Sequence, residues 1–140
     1  MNKKVYGVLS LTSLIIGMAI YLLFRDLNMV LFSFLPKPHF LAGFLIPVKP
    51  SIFSSFLLYN LPDALWFLSG ILLLRFVWFD KPKLQNIYIA YFCGIALILE
   101  ASQIIKIVPG TFDAMDLFFM AITAFIEGFL YNTYIVRRIV

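Results

Sequence analysis

The chain has 140 residues, of which 63% are apolar and only 13% charged, with a mean hydropathy of +0.99 and a net charge of +4. A soluble domain of this size runs near half apolar and a quarter charged and could not bury the excess, so the composition excludes a soluble enzyme and a disordered chain and points to an integral membrane protein. One Cys and one His exclude a disulfide scaffold and a thiolate or imidazole metal cluster, and the basic excess is that of cytoplasmic loops rather than of a nucleic-acid-binding surface.

The first predicted span is Val5–Phe24, a predominantly apolar run of 20 residues preceded by Lys3 and Lys4 and followed by Arg25. A cleaved signal peptide has an apolar core of roughly 7–15 residues and a small-x-small cleavage site. This run is longer and ends in Leu22-Leu23-Phe24-Arg25-Asp26, so an uncleaved helix is expected. Ser10, Ser13 and Gly17 give it a small-residue stripe suited to close helix contact. The next stretch, Arg25–Leu61, is apolar but carries Pro36, Pro38, Pro47 and Pro50, which interrupt helices. It reads as an extracytoplasmic loop against the outer interface, with short amphipathic turns such as Phe53–Tyr59. His39 within it has no partner pattern for metal or base chemistry.

Three further spans are predicted: Asp63–Phe79 (17 residues), Asn86–Ile105 (20) and Ala114–Val136 (23). A membrane helix needs about 20 residues, within a range of about 17–25. With the N-terminus in the cytoplasm, Lys3, Lys4, Arg75, Lys81, Lys83, Arg137 and Arg138 lie inside, and Arg25, Lys37, Lys49 and Lys106 outside. That is the positive-inside pattern. The expected fold is an all-α membrane protein: one domain over 1–140, four transmembrane helices in a compact bundle, a Pro-rich external loop between the first two, and both termini cytoplasmic.

Charges at membrane depth are expensive and each needs a reason. Asn60-Leu-Pro-Asp63 and Asp113-Ala-Met-Asp116 both read as helix starts, where a polar cap and an acid three residues on answer unpaired N–H groups. Capping is the simpler account of Asp63 and Asp113, beside a direct functional role. Asp116 shares a helix side with Thr123 and Glu127, and for it the two accounts stand even. Glu100 is no cap. It sits near the outer end of the third span with Gln103 on its face, and must pair, hydrogen-bond, reach water or take up a proton. Arg75 and Glu127 fall at similar depth toward the cytoplasm. They read as a structural ion pair, or as part of a polar path through the bundle.

Glu100-Ala-Ser-Gln103, then Pro109-Gly-Thr-Phe-Asp113-Ala-Met-Asp116, then Glu127-Gly128, resembles the VanZ-like family of small bacterial membrane proteins. That family shows Glu-x-x-Gln near one helix end, a short external turn, and an Asp opening the last helix. The likeness covers about the last third of the chain. Glu100, Gln103 and Asp116 correspond one for one, and Asp113 fits the polar turn. The chain departs from the family pattern in the turn, where Gly110 stands in place of the family's Arg, and after the Asp, where Met120 and Thr123 stand in place of its Asn and Gly. The resemblance implies a bacterial inner-membrane protein linked to the cell envelope and to glycopeptide (teicoplanin) resistance.

The functional expectation is a binding or accessory protein, with Glu100, Gln103, Asp113, Asp116, Asp63 and Asn60 forming an outward-facing acidic pocket. Such a pocket suits a cationic or hydroxyl-rich group of an envelope lipid or glycopeptide. An oligomeric transporter or channel using the Asp116–Thr123–Glu127 stripe is the alternative, and a structural subunit bound to another membrane protein is a third reading. An intramembrane enzyme with Glu100 or Asp116 as general acid or base ranks last, because no nucleophile, metal set or cofactor motif accompanies them.

Overall fold

The computed structural model describes residues 2–24, 51, 58–107 and 112–134. All regular structure among them is helical: α1 Lys3–Phe24, α2 Leu61–Val77, α3 Pro82–Ile104 and α4 Ala114–Tyr134. Helices α1, α3 and α4 are long and apolar enough to cross a membrane, whereas α2 has 17 residues. Most of the Pro-rich stretch 25–61, with His39, lies outside the described residues. So do Gly110 and everything past Tyr134.

Helices α2 and α3 differ at their boundaries from the apolar runs that predict them. Helix α3 starts at Pro82, four residues before Asn86, with Lys81 as its N-cap. A proline at the first helical position is preorganised and has no N–H to leave unpaired. The first turn it opens is polar, so an apolar run misses it. Helix α2 runs Leu61–Val77 against the apolar run 63–79, and its start agrees with the helix-start reading of Asn60-Leu-Pro-Asp63, with Asn60 as N-cap and Pro62 in its first turn.

Helix α2 is the hub, and among the described helices α1 packs on it alone. The small-residue stripe explains how. The Ser10 hydroxyl donates to the Ser69 carbonyl at 2.9 Å, with the two hydroxyl oxygens 3.2 Å apart. Gly17 lets Trp66 press against the α1 backbone: a Cβ there would stand 2.6 Å from the Trp66 ring and 3.2 Å from the Pro62 carbonyl. Tyr21 stacks on Trp66 at 5.1 Å, and the buried Tyr6 packs on Phe79 at 6.0 Å. On the other side, Phe92 of α3 enters the notch at Gly70 and stacks on Phe67 at 5.2 Å.

Burial on α3 and α4 runs opposite to that of a water-soluble helix. Their fully buried described residues are Gln85, Glu100 and Glu127, all polar, while Tyr91, Ile98, Phe118, Phe125 and Phe129 are exposed. In water this would leave a large sticky surface; in lipid tails the apolar side chains are solvated and the polar ones need protein partners.

Candidate functional site

The buried polar residues gather at two levels. Gln85 and Glu100 are fifteen residues apart on α3, or about 22 Å along its axis, within the roughly 30 Å of a hydrocarbon core. The first level is the Arg75 end, where α1 and α3 begin and α2 and α4 finish. The second is the Glu100 end, where α3 gives way to α4.

At the Arg75 end the guanidinium binds Glu127 through both oxygens, Nε to Oε1 at 2.9 Å and Nη2 to Oε2 at 3.1 Å. Its Nη1 donates to Gln85 Oε1 at 2.8 Å and to Asn86 Oδ1 at 3.0 Å. The Gln85 amide returns a bond to the Arg75 carbonyl at 2.9 Å. The Tyr131 ring lies under the guanidinium carbon at 3.5 Å. Four of five N–H groups are thus answered, and the fork geometry is the strong, bidentate kind. Sequence reasoning places Arg75 and Glu127 at one depth but misses Gln85, Asn86 and Tyr131. Two signals were available: the short turn after α2 brings Gln85 back beside Arg75, and Tyr131 is one turn beyond Glu127. Tyr6 of α1 completes the level. Its hydroxyl is within electrostatic reach of Arg75, Glu127 and Tyr131, and makes no hydrogen bond among the described residues.

At the other end Glu100 is 7% exposed and reaches from α3 to the start of α4. Its Oε1 accepts the Asp113 backbone N–H at 3.1 Å, and its Oε2 accepts the Gln103 amide at 3.2 Å. Asp113 caps α4 through its own carboxylate, which accepts the Met115 N–H at 2.9 Å, while its carbonyl accepts the Asp116 N–H at 3.1 Å. Glu100, Gln103, Asp113 and the first turn of α4 with Asp116 are therefore one connected unit.

The end of α3 makes this convergence possible. Lys106 N–H bonds to the Gln103 carbonyl and Ile107 N–H to the Ser102 carbonyl, both at 3.1 Å, with Lys106 at φ 56°. This is the Schellman stop, here with lysine in the left-handed position usually held by glycine. It turns the chain back so that Asp113 meets Glu100.

Asn60 and Asp63 also lie at helix-start positions, on α2. Asn60 is buried and its carbonyl accepts the Ala64 N–H at 3.1 Å, but its side chain forms no cap hydrogen bond. The two matching sequence patterns thus fold differently: Asp113 caps through its side chain and Asn60 does not. Thr123 is half-buried on α4, one turn from Glu127. No cluster of three or more potential metal ligands occurs among the described residues.

No family model, curated protein or solved structure matches the chain.

Proposed function

We propose that this chain is a VanZ-like cell-envelope protein of the bacterial cytoplasmic membrane, a binding or accessory component whose acidic pocket faces outward. The reading takes α2 as a fourth span. Helix α2 is about 25 Å long and lies between helices that are long enough to cross, and its one buried charge, Arg75, has four of its five N–H groups answered by α3 and α4. It also takes the Arg75 end as cytoplasmic, since Lys3, Lys4, Lys81 and Lys83 sit there and Asp63, Glu100, Asp113 and Asp116 sit opposite.

One observation carries the pocket. Glu100 is buried, joined to Gln103 and to the α4 start, and has no cation within salt-bridge distance among the described residues. Among the described residues each carboxylate oxygen takes one protein hydrogen bond, and a carboxylate offers about four acceptor sites. The remainder suits an amine or hydroxyl of an envelope lipid or glycopeptide. Replacing Glu100 by Gln at matched protein level should raise sensitivity to glycopeptide antibiotics, and unchanged sensitivity would reject the pocket.

The transport alternative is less well supported, because Glu127, the last member of its polar stripe, is clamped through both oxygens to Arg75. A structural-subunit reading draws on an open groove of about 370 Å³ along α3, lined by Ile87, Ala90, Tyr91, Gly94, Ile95 and Ile98. Recovery of a stoichiometric protein partner from native membranes would favour it.

A further inference from the structure

The two ends treat their helix starts in opposite ways. Helices α2 and α4 begin at the Glu100 end with Asp63 and Asp116 in their first turns. Helices α1 and α3 begin at the Arg75 end with no acidic residue in theirs. A helix start presents unpaired N–H groups and the positive end of the dipole, which carboxylates normally answer. Here the neighbouring positions hold Lys3 and Lys4 on α1, and Lys81 and Lys83 on α3.

These lysines belong to one surface. Lys3 Nζ lies 3.6 Å from Asp80 Oδ2 and 5.6 Å from the centre of the Phe76 ring, which brings the start of α1 to the α2–α3 turn. Lys81 follows Asp80 directly. Its ammonium sits 5.9 Å from the centre of the Trp78 ring, and Trp78 stacks on Tyr88 at 4.8 Å. Arg75 and Glu127 cancel each other in the interior. At this surface the described charges are therefore four lysines against Asp80, beside a tryptophan and a tyrosine of the kind that anchor at headgroup level.

We propose that this patch binds the phosphate diester of an anionic lipid headgroup, with Lys3, Lys81 and Lys83 supplying the charge and Trp78 the interfacial contact. Basic residues beside a membrane helix attract anionic headgroups. The two helix starts add the positive ends of their dipoles with no carboxylate in either first turn, although the Lys4 N–H of α1 is already taken by Asn2 Oδ1 at 3.3 Å. Asp80 competes with the lipid for Lys3. The site is separate from the acidic pocket and depends only on α1 and α3 lying in a bilayer.

The test uses the full chain with Trp66→Phe, leaving Trp78 as the single tryptophan, in phosphatidylcholine vesicles containing phosphatidylglycerol. Bromine is placed on the acyl chains of one lipid or the other. Brominated phosphatidylglycerol should quench Trp78 several-fold more effectively than its share of the bilayer predicts. Each of Lys3→Gln, Lys81→Gln and Lys83→Gln should lower that preference, by up to about fivefold at low salt, and Asp80→Asn should raise it. Lipid retained by the chain with Trp66 intact, measured by mass spectrometry after detergent extraction, should show the same order, which covers misfolding of the Trp66→Phe variant. Equal quenching by both lipids, or a preference unchanged in the triple lysine variant, would overturn the proposal. Loss of the preference on adding soluble glycerol phosphate would also overturn it, by assigning the patch to a free anion.

Discussion

The Arg75 and Glu100 ends both bury a carboxylate on a helix that is otherwise lipid-facing in character, yet they answer it differently. Glu127 meets a guanidinium through two short bonds, and that guanidinium is engaged by Gln85, Asn86 and the Tyr131 ring. Glu100 meets a neutral amide and one backbone N–H. The first arrangement closes on itself and leaves little for a ligand to satisfy. The second fixes a carboxylate in place and keeps acceptor capacity. A buried charge is therefore a poor guide until its partners are counted, and here Glu127 is the better-paired of the two.

The largest effect should come from breaking the closed end. Glu127→Ala strands Arg75 in the bundle, and removing one partner of a buried pair typically costs about 3–5 kcal/mol. Unfolding of the detergent-solubilised chain, followed by circular dichroism, should register that loss. Arg75→Met with Glu127→Leu should recover much of it, because the pair's desolvation disappears with its attraction. If Glu127→Ala is no more damaging than Glu100→Ala, the distinction between the two ends fails.

Glu100→Ala comes next, at about 1–3 kcal/mol, the penalty for leaving the Asp113 N–H and the Gln103 amide without their acceptor. The more telling readout is local. Hydrogen exchange at the Asp113 amide should accelerate while exchange in α2 stays unchanged. Acceleration of exchange at both ends together would make the bundle one cooperative unit, and the comparison would lose its meaning.

Much of this was legible in the sequence. Apolar runs located α1, α2, α3 and α4, and the rule that intramembrane charges need partners singled out Arg75, Glu100 and Glu127. The rest was hidden for physical reasons. The first turn of α3, Pro82–Gln85, holds Lys83 and Gln85, the latter bonded to Arg75, so a search for apolar residues leaves it in the loop. Asn60 and Asp113 share a spacing with an acid three residues on, but a capping bond depends on side-chain rotamer and neighbours, and only Asp113 makes one. The left-handed Lys106 is invisible to patterns that look for glycine at a helix stop.

That lysine gives a smaller, stabilising change. Lys106→Gly should raise stability by up to about 1 kcal/mol, since glycine adopts positive φ without the Cβ penalty, partly offset by the freedom it adds to the unfolded chain. The gain should appear as a higher melting temperature and slower exchange at the Ile107 amide. A loss instead would mean that the lysine side chain, rather than its backbone, holds the α3–α4 turn in place beneath Glu100.

The smallest expected effect sharpens the comparison from the closed end. Tyr6 is 1% exposed, and its hydroxyl has no hydrogen-bond partner among the described residues. Burying such a group is costly, so Tyr6→Phe removes a penalty while keeping the ring that packs on Phe79. The melting curve should move by no more than about 0.5 kcal/mol, toward greater stability. A loss above about 1 kcal/mol would show that the hydroxyl works within the Arg75 network. The closed end would then draw on all four helices, and α1 would be fastened to the bundle by polar bonding at its start as well as by close packing at Ser10 and Gly17.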